Sequence, residues 1–191
     1  MATKTIGKRI SIEEHSDAIT IVIDQSIPFS QQLSLELWLG AWTGLGGLFG
    51  YGAWTYPGDE RTFFLIGLIF WGFFMVRITK VALWRRMGRE IIKISAGRLL
   101  IKNAFKTKGK DRYFALKKVG EFTAYDIPIK SFMQQLDQSF WIIGGDKIHF
   151  NFNGKSYVLG KQLKHSDALQ LANVLNKSVS KYYIRLKRQR D

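Results

Sequence analysis

The residues able to do chemistry are few and far apart. Histidine occurs as His15, His149 and His165, and there is no cysteine. Disulfides, thiolate metal sites and thiol nucleophiles are thereby excluded. His149 falls on the polar face of an alternating segment and His165 lies just before a helix start. The three read as separate solvated side chains rather than as ligands or an acid–base pair. The spacings that would build a zinc protease site, a nucleophile elbow or a phosphate-cradling glycine loop are absent, as is any paired acidic constellation. The expectation is a non-enzymatic protein with no catalytic residues, no cofactor, no metal and no small-molecule substrate. Asn176-Lys177-Ser178 matches a glycosylation pattern, but on a segment expected to face the cytoplasm.

Charge is the second chemical feature. Residues 85–191 carry 23 Lys/Arg against 8 Asp/Glu, which accounts for the whole net charge of +14. Arg85, Arg86 and Arg89 follow a long apolar run, and Lys106, Lys108, Lys110 and Arg112 cluster around one predicted hairpin loop. Each Lys or Arg beside an anionic leaflet is worth about 1 kcal/mol, so these seven are candidate contacts for lipid or a partner. General positive-inside bias explains the same residues without a ligand. Phe105, Tyr113 and Phe114 interleave with them, yet a domain tethered beside anionic lipid has a nearer partner than nucleic acid.

These residues must be positioned by something, and the chain supplies two apolar runs for it. Leu35–Tyr56 and Phe63–Trp84 are separated by the polar knuckle Pro57-Gly58-Asp59-Glu60-Arg61. A bilayer-spanning helix needs about 20 apolar residues, so a transmembrane helical hairpin is expected over 34–84. The first 33 residues lack the features of a cleaved leader, and the first apolar run is expected to be retained. Basic residues after the second run place both termini in the cytoplasm. Trp38, Trp42, Trp54, Tyr56 and Trp84 fit interfacial belts, and Arg77 and Lys80 fit anchors extending to the headgroups.

The first run contains the small-xxx-small pairs Gly40/Gly44 and Gly46/Gly50. Lipid supplies little hydrophobic force between helices, so close approach through glycine is a main route to association. The pairs suit docking on another membrane protein or on a second copy. They suit equally packing against the aromatic second run.

Beyond Arg89 the period becomes two. Seven short strands are predicted: Ile91–Ile94, Arg98–Lys102, Lys110–Leu116, Val119–Tyr125, Phe140–Ile143, Ile148–Phe152 and Lys155–Leu159. Asn153-Gly154 is a type I′ turn signal. Ser166 is the expected N-cap of a final helix with Ala168, Leu171, Ala172, Leu175, Val179 and Tyr182 on its apolar face. The expected fold is a membrane α-helical hairpin plus an α+β domain: a PH-like, seven-stranded curled antiparallel sheet capped by a C-terminal α-helix. The boundaries are 1–33, an N-terminal segment with one strand (Ala18–Asp24) packed against or paired with an edge of the sheet; 34–84, the hairpin; 85–183, the PH-like domain; and 184–191, a basic tail.

Leu83-Trp-Arg-Arg-Met-Gly-Arg-Glu-Ile-Ile-Lys-Ile94, leaving a helix for a strand, resembles uncharacterised bacterial membrane proteins with two N-terminal helices and a bacterial PH-like domain. Phe150-Asn-Phe-Asn-Gly-Lys-Ser-Tyr-Val-Leu-Gly-Lys-Gln-Leu163 resembles them too, as does Ile19–Ile23 followed by Pro28 and a Trp-rich helix. In outline the chain is also similar to the photosystem I assembly protein of chloroplasts and cyanobacteria. The first resemblance implies a bacterial inner (cytoplasmic) membrane location. The second implies an assembly role by analogy. The expected function is a membrane-anchored scaffold, assembly factor or accessory subunit that interacts with membrane lipids and a membrane-protein partner. The alternative is an anionic-lipid sensor using the basic hairpin loop.

Overall fold

The computed structural model describes residues 2–95, 97–106, 108–125 and 141–188. Its strands form a six-stranded antiparallel sheet, β1-β2-β3-β4-β5-β6, and a three-stranded antiparallel sheet, β7-β8-β9. The first comprises β1 (Ala2–Ile6), β2 (Ile10–Glu14), β3 (Ala18–Asp24), β4 (Gly88–Ser95), β5 (Arg98–Phe105) and β6 (Lys108–Ala115). The second comprises β7 (Thr123–Ala124), β8 (Asp146–Phe152) and β9 (Lys155–Lys161). Helices α1 (Phe29–Thr55) and α2 (Gly58–Met87) lie between β3 and β4 in sequence, and α3 (His165–Arg188) ends the described chain. The molecule is α+β. By contacts it divides into a helical unit, 27–86 with 140–142, and a sheet unit holding the rest.

In the sheet unit, period-two alternation sets the core. Ile19, Ile21 and Ile23 of β3 and Ile92 and Ile94 of β4 point inward. They meet Leu99 and Ile101 of β5, Phe150 of β8, Leu159 of β9, and Leu171 and Leu175 of α3 in one cluster. Asn153 and Gly154, at φ 50° and 75°, supply the positive dihedrals that the β8–β9 turn requires.

The strand β3 pairs with β4 from Ala18↔Ser95 to Asp24↔Arg89. The sheet thus closes across the whole helical excursion. The N-terminal segment holds three strands where one was expected. Ile6, Ile10 and Ile12 join the core, so residues 1–26 are part of the domain and not a flanking piece.

Other expectations change as well. Val119–Tyr125 is not a full strand: beyond the short β7 it makes an isolated bridge, Val119↔Phe152. Asn176 of α3 takes the place of a ladder neighbour. It accepts from the Phe122 N–H at 2.8 Å and donates to the Phe122 carbonyl at 2.9 Å. The amide of the apparent glycosylation pattern is therefore engaged in holding this segment. Trp141–Ile143 forms a turn and bends rather than a strand, and Phe140 lies outside the described residues. Helix α3 begins at His165, which puts Ser166 inside the first turn, where its hydroxyl donates to Asp167. Residues 184–188 of the supposed tail continue α3, and 189–191 lie outside the described residues.

In the helical unit, α1 and α2 pack antiparallel, Trp42 meeting Trp71 and Phe49 meeting Gly67 and Phe64. Among the described residues one helix, α2, is long and apolar enough to cross a membrane by length and composition. Two were expected. The six glycines of α1, interleaved with Trp38, Trp42 and Trp54, keep each 18-residue stretch of it short of the hydropathy that α2 reaches.

Truncating Ile21, fully buried on β3, is expected to cost about 2–5 kcal/mol in urea unfolding of the detergent-solubilised protein. A loss below about 0.5 kcal/mol, the range of surface substitutions, would place the N-terminal strands outside the cooperative core.

Candidate functional site

The glycines divide by direction. A Cβ placed on Gly46 would stand 2.2 Å from the Trp71 ring, and one on Gly52 2.6 Å from the Phe64 ring. These two are sockets for α2. Trp71 is fixed further by donating its indole N–H to the Trp42 carbonyl at 2.6 Å, while the Trp42 indole N–H reaches the Trp71 carbonyl at 3.3 Å. Gly40, Gly44, Gly47 and Gly50 meet nothing within 4 Å. Gly40, Gly44 and Gly47 follow one another at i, i+4 and i+7 and continue into Tyr51, so they share a helix face. That face is open and apolar, with Leu37 and Tyr51 each 67% exposed. Of the predicted pairs, Gly40/Gly44 stays together on the open face. Gly46/Gly50 is split, Gly46 turning inward. Gly52, outside both pairs, is the second socket, and Phe64 and Trp71, seven residues apart, are the rings that fill the two.

The three arginines after the apolar run have different partners. Arg85 is only 2% exposed and donates from Nη2 to the Ile142 carbonyl at 2.7 Å. Arg86 lies 3.5 Å from Glu36 of α1. Arg89, in the sheet unit, donates to Asp24 at 3.1 Å across the β3–β4 pair. Arg85 and Arg86 are helical residues, not part of the domain expected to begin at 85.

Lys106 occupies the β5–β6 turn at φ 54°. Lys108, Lys110 and Arg112 alternate along β6, an edge strand of the six-stranded sheet, and all are exposed. They share the face of Phe114, which is buried. The acidic residue on this strand, Asp111, is on the opposite face, 3.3 Å from Lys102. The alternation therefore gathers three cations on one side and sends the anion to the other.

A buried polar knot in the sheet unit escaped the sequence reading. Arg9, in the β1–β2 turn, donates to the carbonyls of Asp24 (2.7 Å), Gln162 (2.8 Å) and Lys161 (3.2 Å) and to the side chain of Gln25 (3.2 Å). Glu90 of β4 is 1% exposed and accepts from the Gly160 N–H of β9 at 2.9 Å. Lys161 pairs with Asp146 at 3.0 Å beside it. Together these bonds tie the two sheets. Burial pushes the Glu90 carboxyl up, partly offset by Lys161 and the Gly160 N–H. The available signal was parity: Glu90 shares its face with Ile92 and Ile94, so an inward carboxylate followed from the register.

Among the described residues no group of three His, Cys, Asp or Glu side chains is placed to hold a metal. His149 lies edge-on to Tyr125, with ring centroids 5.0 Å apart, and His15 is 3.9 Å from Glu13. Compared with known proteins, the chain matches no family model and no curated protein.

Two outcomes are expected here. Gly46→Leu drives a side chain into Trp71 and lowers the thermal stability of the helical unit by an overpacking cost of about 1–3 kcal/mol, whereas Gly44→Leu, facing open space, leaves it no lower and raises it by up to about 1 kcal/mol through helix propensity; equal losses would contradict the division of the glycines. For Glu90, the unfolded carboxyl titrates near its ordinary value, about 4.3, and the folded one above it. Its contribution is full below the unfolded pKa and declines as pH rises through the folded one. Glu90→Gln, which still accepts from Gly160, is expected to gain stability relative to the native protein between about pH 4 and pH 8, read by urea unfolding at both ends. A constant difference would show that the burial does not govern this carboxyl.

Proposed function

We propose that this protein is a membrane-anchored, non-enzymatic scaffold, an assembly or accessory subunit of a larger complex in a bacterial inner membrane. In this reading α1 and α2 cross the bilayer as a hairpin, both termini are cytoplasmic, and the face of Gly40, Gly44 and Gly47 docks on a membrane-protein partner. The observation that carries it is that open face, which points away from α2 and leaves glycine backbone accessible to another helix. In lipid such close approach is a principal source of helix association. Support for the crossing comes from α2. Ile66, Ile69, Phe70 and Phe73 are each more than half exposed, a continuous apolar surface that water does not tolerate on this scale. At 1.5 Å per residue its 30 residues run about 45 Å, enough for the hydrocarbon core and both headgroup layers.

The cytoplasmic part is read as a PH-like interaction domain, with its first strand placed before the helices. Strands β3–β6 and β7–β9 give the four-plus-three arrangement, α3 the C-terminal cap, and β1–β2 an extension of one edge. The helical hairpin is then an insertion between the first and second strands of that domain.

The alternative, an anionic-lipid sensor, is favoured by one feature: Lys108, Lys110 and Arg112 carry no ion pair among the described residues and share one face of an exposed edge strand. In nanodiscs containing phosphatidylglycerol and phosphatidylcholine, the sensor reading expects Lys108→Glu/Lys110→Glu/Arg112→Glu to abolish enrichment of the anionic lipid around the protein. Unchanged enrichment would exclude it.

The leading reading is tested by extraction from native membranes in mild detergent. A stoichiometric membrane-protein partner is expected with the native chain and is expected to be lost with Gly40→Leu/Gly44→Leu, while the α1–α2 contact through Gly46 persists. Elution of the native chain alone, or solely as a homodimer, would contradict an accessory-subunit role.

A further inference from the structure

Two side chains of the helical unit, Trp38 and Arg85, converge on a segment that is neither helix nor strand. The Trp141 ring stands edge-on to Trp38, with centroids 5.7 Å apart, and Trp38 stacks on Trp42 at 4.9 Å. Arg85 donates to the Ile142 carbonyl at 2.7 Å. Trp38, Trp84 and Arg85 mark the same end of the helix pair, the end where Glu36 meets Arg86.

We propose that Trp141-Ile142 is a third membrane-contacting element, seated at the boundary of headgroups and acyl chains on the cytoplasmic side. The proposal rests on the hairpin reading above and adds to it a lipid-facing segment from outside the hairpin. The argument is chemical. A non-regular segment at bilayer depth must have its backbone groups satisfied by protein. Arg85, a buried guanidinium, does this for the Ile142 carbonyl with a charge-assisted bond. With its carbonyl held, Ile142 nonetheless leaves its side chain 38% exposed, an apolar group displayed beside two tryptophans and an arginine. Indole rings favour this layer because they are amphipathic and broad. The occupant of the patch is lipid: it lies beside Trp38 and Arg85, at the end of the helix pair where the tryptophans would form the belt. A protein partner seated on it is the competing outcome.

The chain has no cysteine, so single cysteines can be labelled without background. Ile142→Cys carries a nitroxide in vesicles of phosphatidylethanolamine and phosphatidylglycerol. Ile69→Cys on α2 reports the span, and Val158→Cys on β9 reports water. Both reference side chains are exposed, at 74% and 47%. The Ile142 label is expected to collide more with dissolved oxygen than with a water-soluble nickel chelate, at a depth between those of the two references. Nickel access equal to that at Val158, with Ile69 still oxygen-favoured, overturns the anchor and leaves the hairpin standing. Shielding from both reagents overturns it in favour of a protein partner. Nickel access at Ile69 as well overturns the hairpin, and the anchor with it.

Discussion

The pairing of β3 with β4 is the constraint from which the rest follows. Seven register pairs join strands that flank an excursion of two helices. Closing such a long loop costs entropy, which rises only slowly with length. It is offset by isoleucines buried on both strands and by the bonds at the open end of the pair. There Arg89 reaches Asp24, and the Gln25 N–H donates to the Gly88 carbonyl at 3.2 Å. A chain that leaves one strand and returns to its neighbour must turn back on itself, so α1 and α2 run antiparallel. The Arg9 knot braces the same edge: its guanidinium holds the carbonyl of Asp24, the last residue before the excursion, to the end of β9. Both ends of the helical excursion thereby lead into neighbouring strands of one sheet.

Within the helical unit, the glycines of α1 divide two tasks that would otherwise compete. Gly46 and Gly52 let Trp71 and Phe64 seat against the backbone, and the Trp71 indole can then reach the Trp42 carbonyl. Larger residues there would force the helices apart. Gly40, Gly44 and Gly47 take no part in this packing. A helix has no need of three bare positions on a face that meets nothing, and glycine lowers helix stability by about 1 kcal/mol against alanine. That cost, left uncompensated within the chain, is the physical reason to look for a second helix on that face.

Much of the fold was legible where local pattern and tertiary role coincide. The β4–β5 strands alternate cleanly, Asn153-Gly154 demands its turn, and the apolar residues of α3 recur at helical spacing. Legibility failed where tertiary contacts replaced local ones. Phe122 satisfies its backbone through the Asn176 side chain, so Val119–Tyr125 has strand composition with little ladder. Trp141-Ile142-Ile143 has strand composition too, but Trp141 packs on Trp38 and the Ile142 carbonyl on Arg85. The strands β1 and β2 are short and rich in Lys, Thr, Ser and Glu; only Ile6, Ile10 and Ile12 betray them. Of the candidate site, the glycine positions were visible in the sequence, but their directions were not, because helix phase is set by the α2 partner. The basic run on β6 was visible as a cluster, and its one-sided display followed from the alternation. Arg85 could not be distinguished from Arg86 and Arg89 without knowing where residue 142 returns.

Closure of the sheet across the two helices is the arrangement on which these contacts depend. Val22 and Ile91 are direct register partners, and opposed Cα atoms in antiparallel strands lie about 4.5–5.5 Å apart, within reach of a disulfide. Val22→Cys/Ile91→Cys, oxidised in native membranes on this cysteine-free background, should give an intramolecular disulfide in nearly all molecules, with Val22→Cys/Leu100→Cys giving little. Absence of the first bond, or equal yields from the two pairs, would contradict the closure.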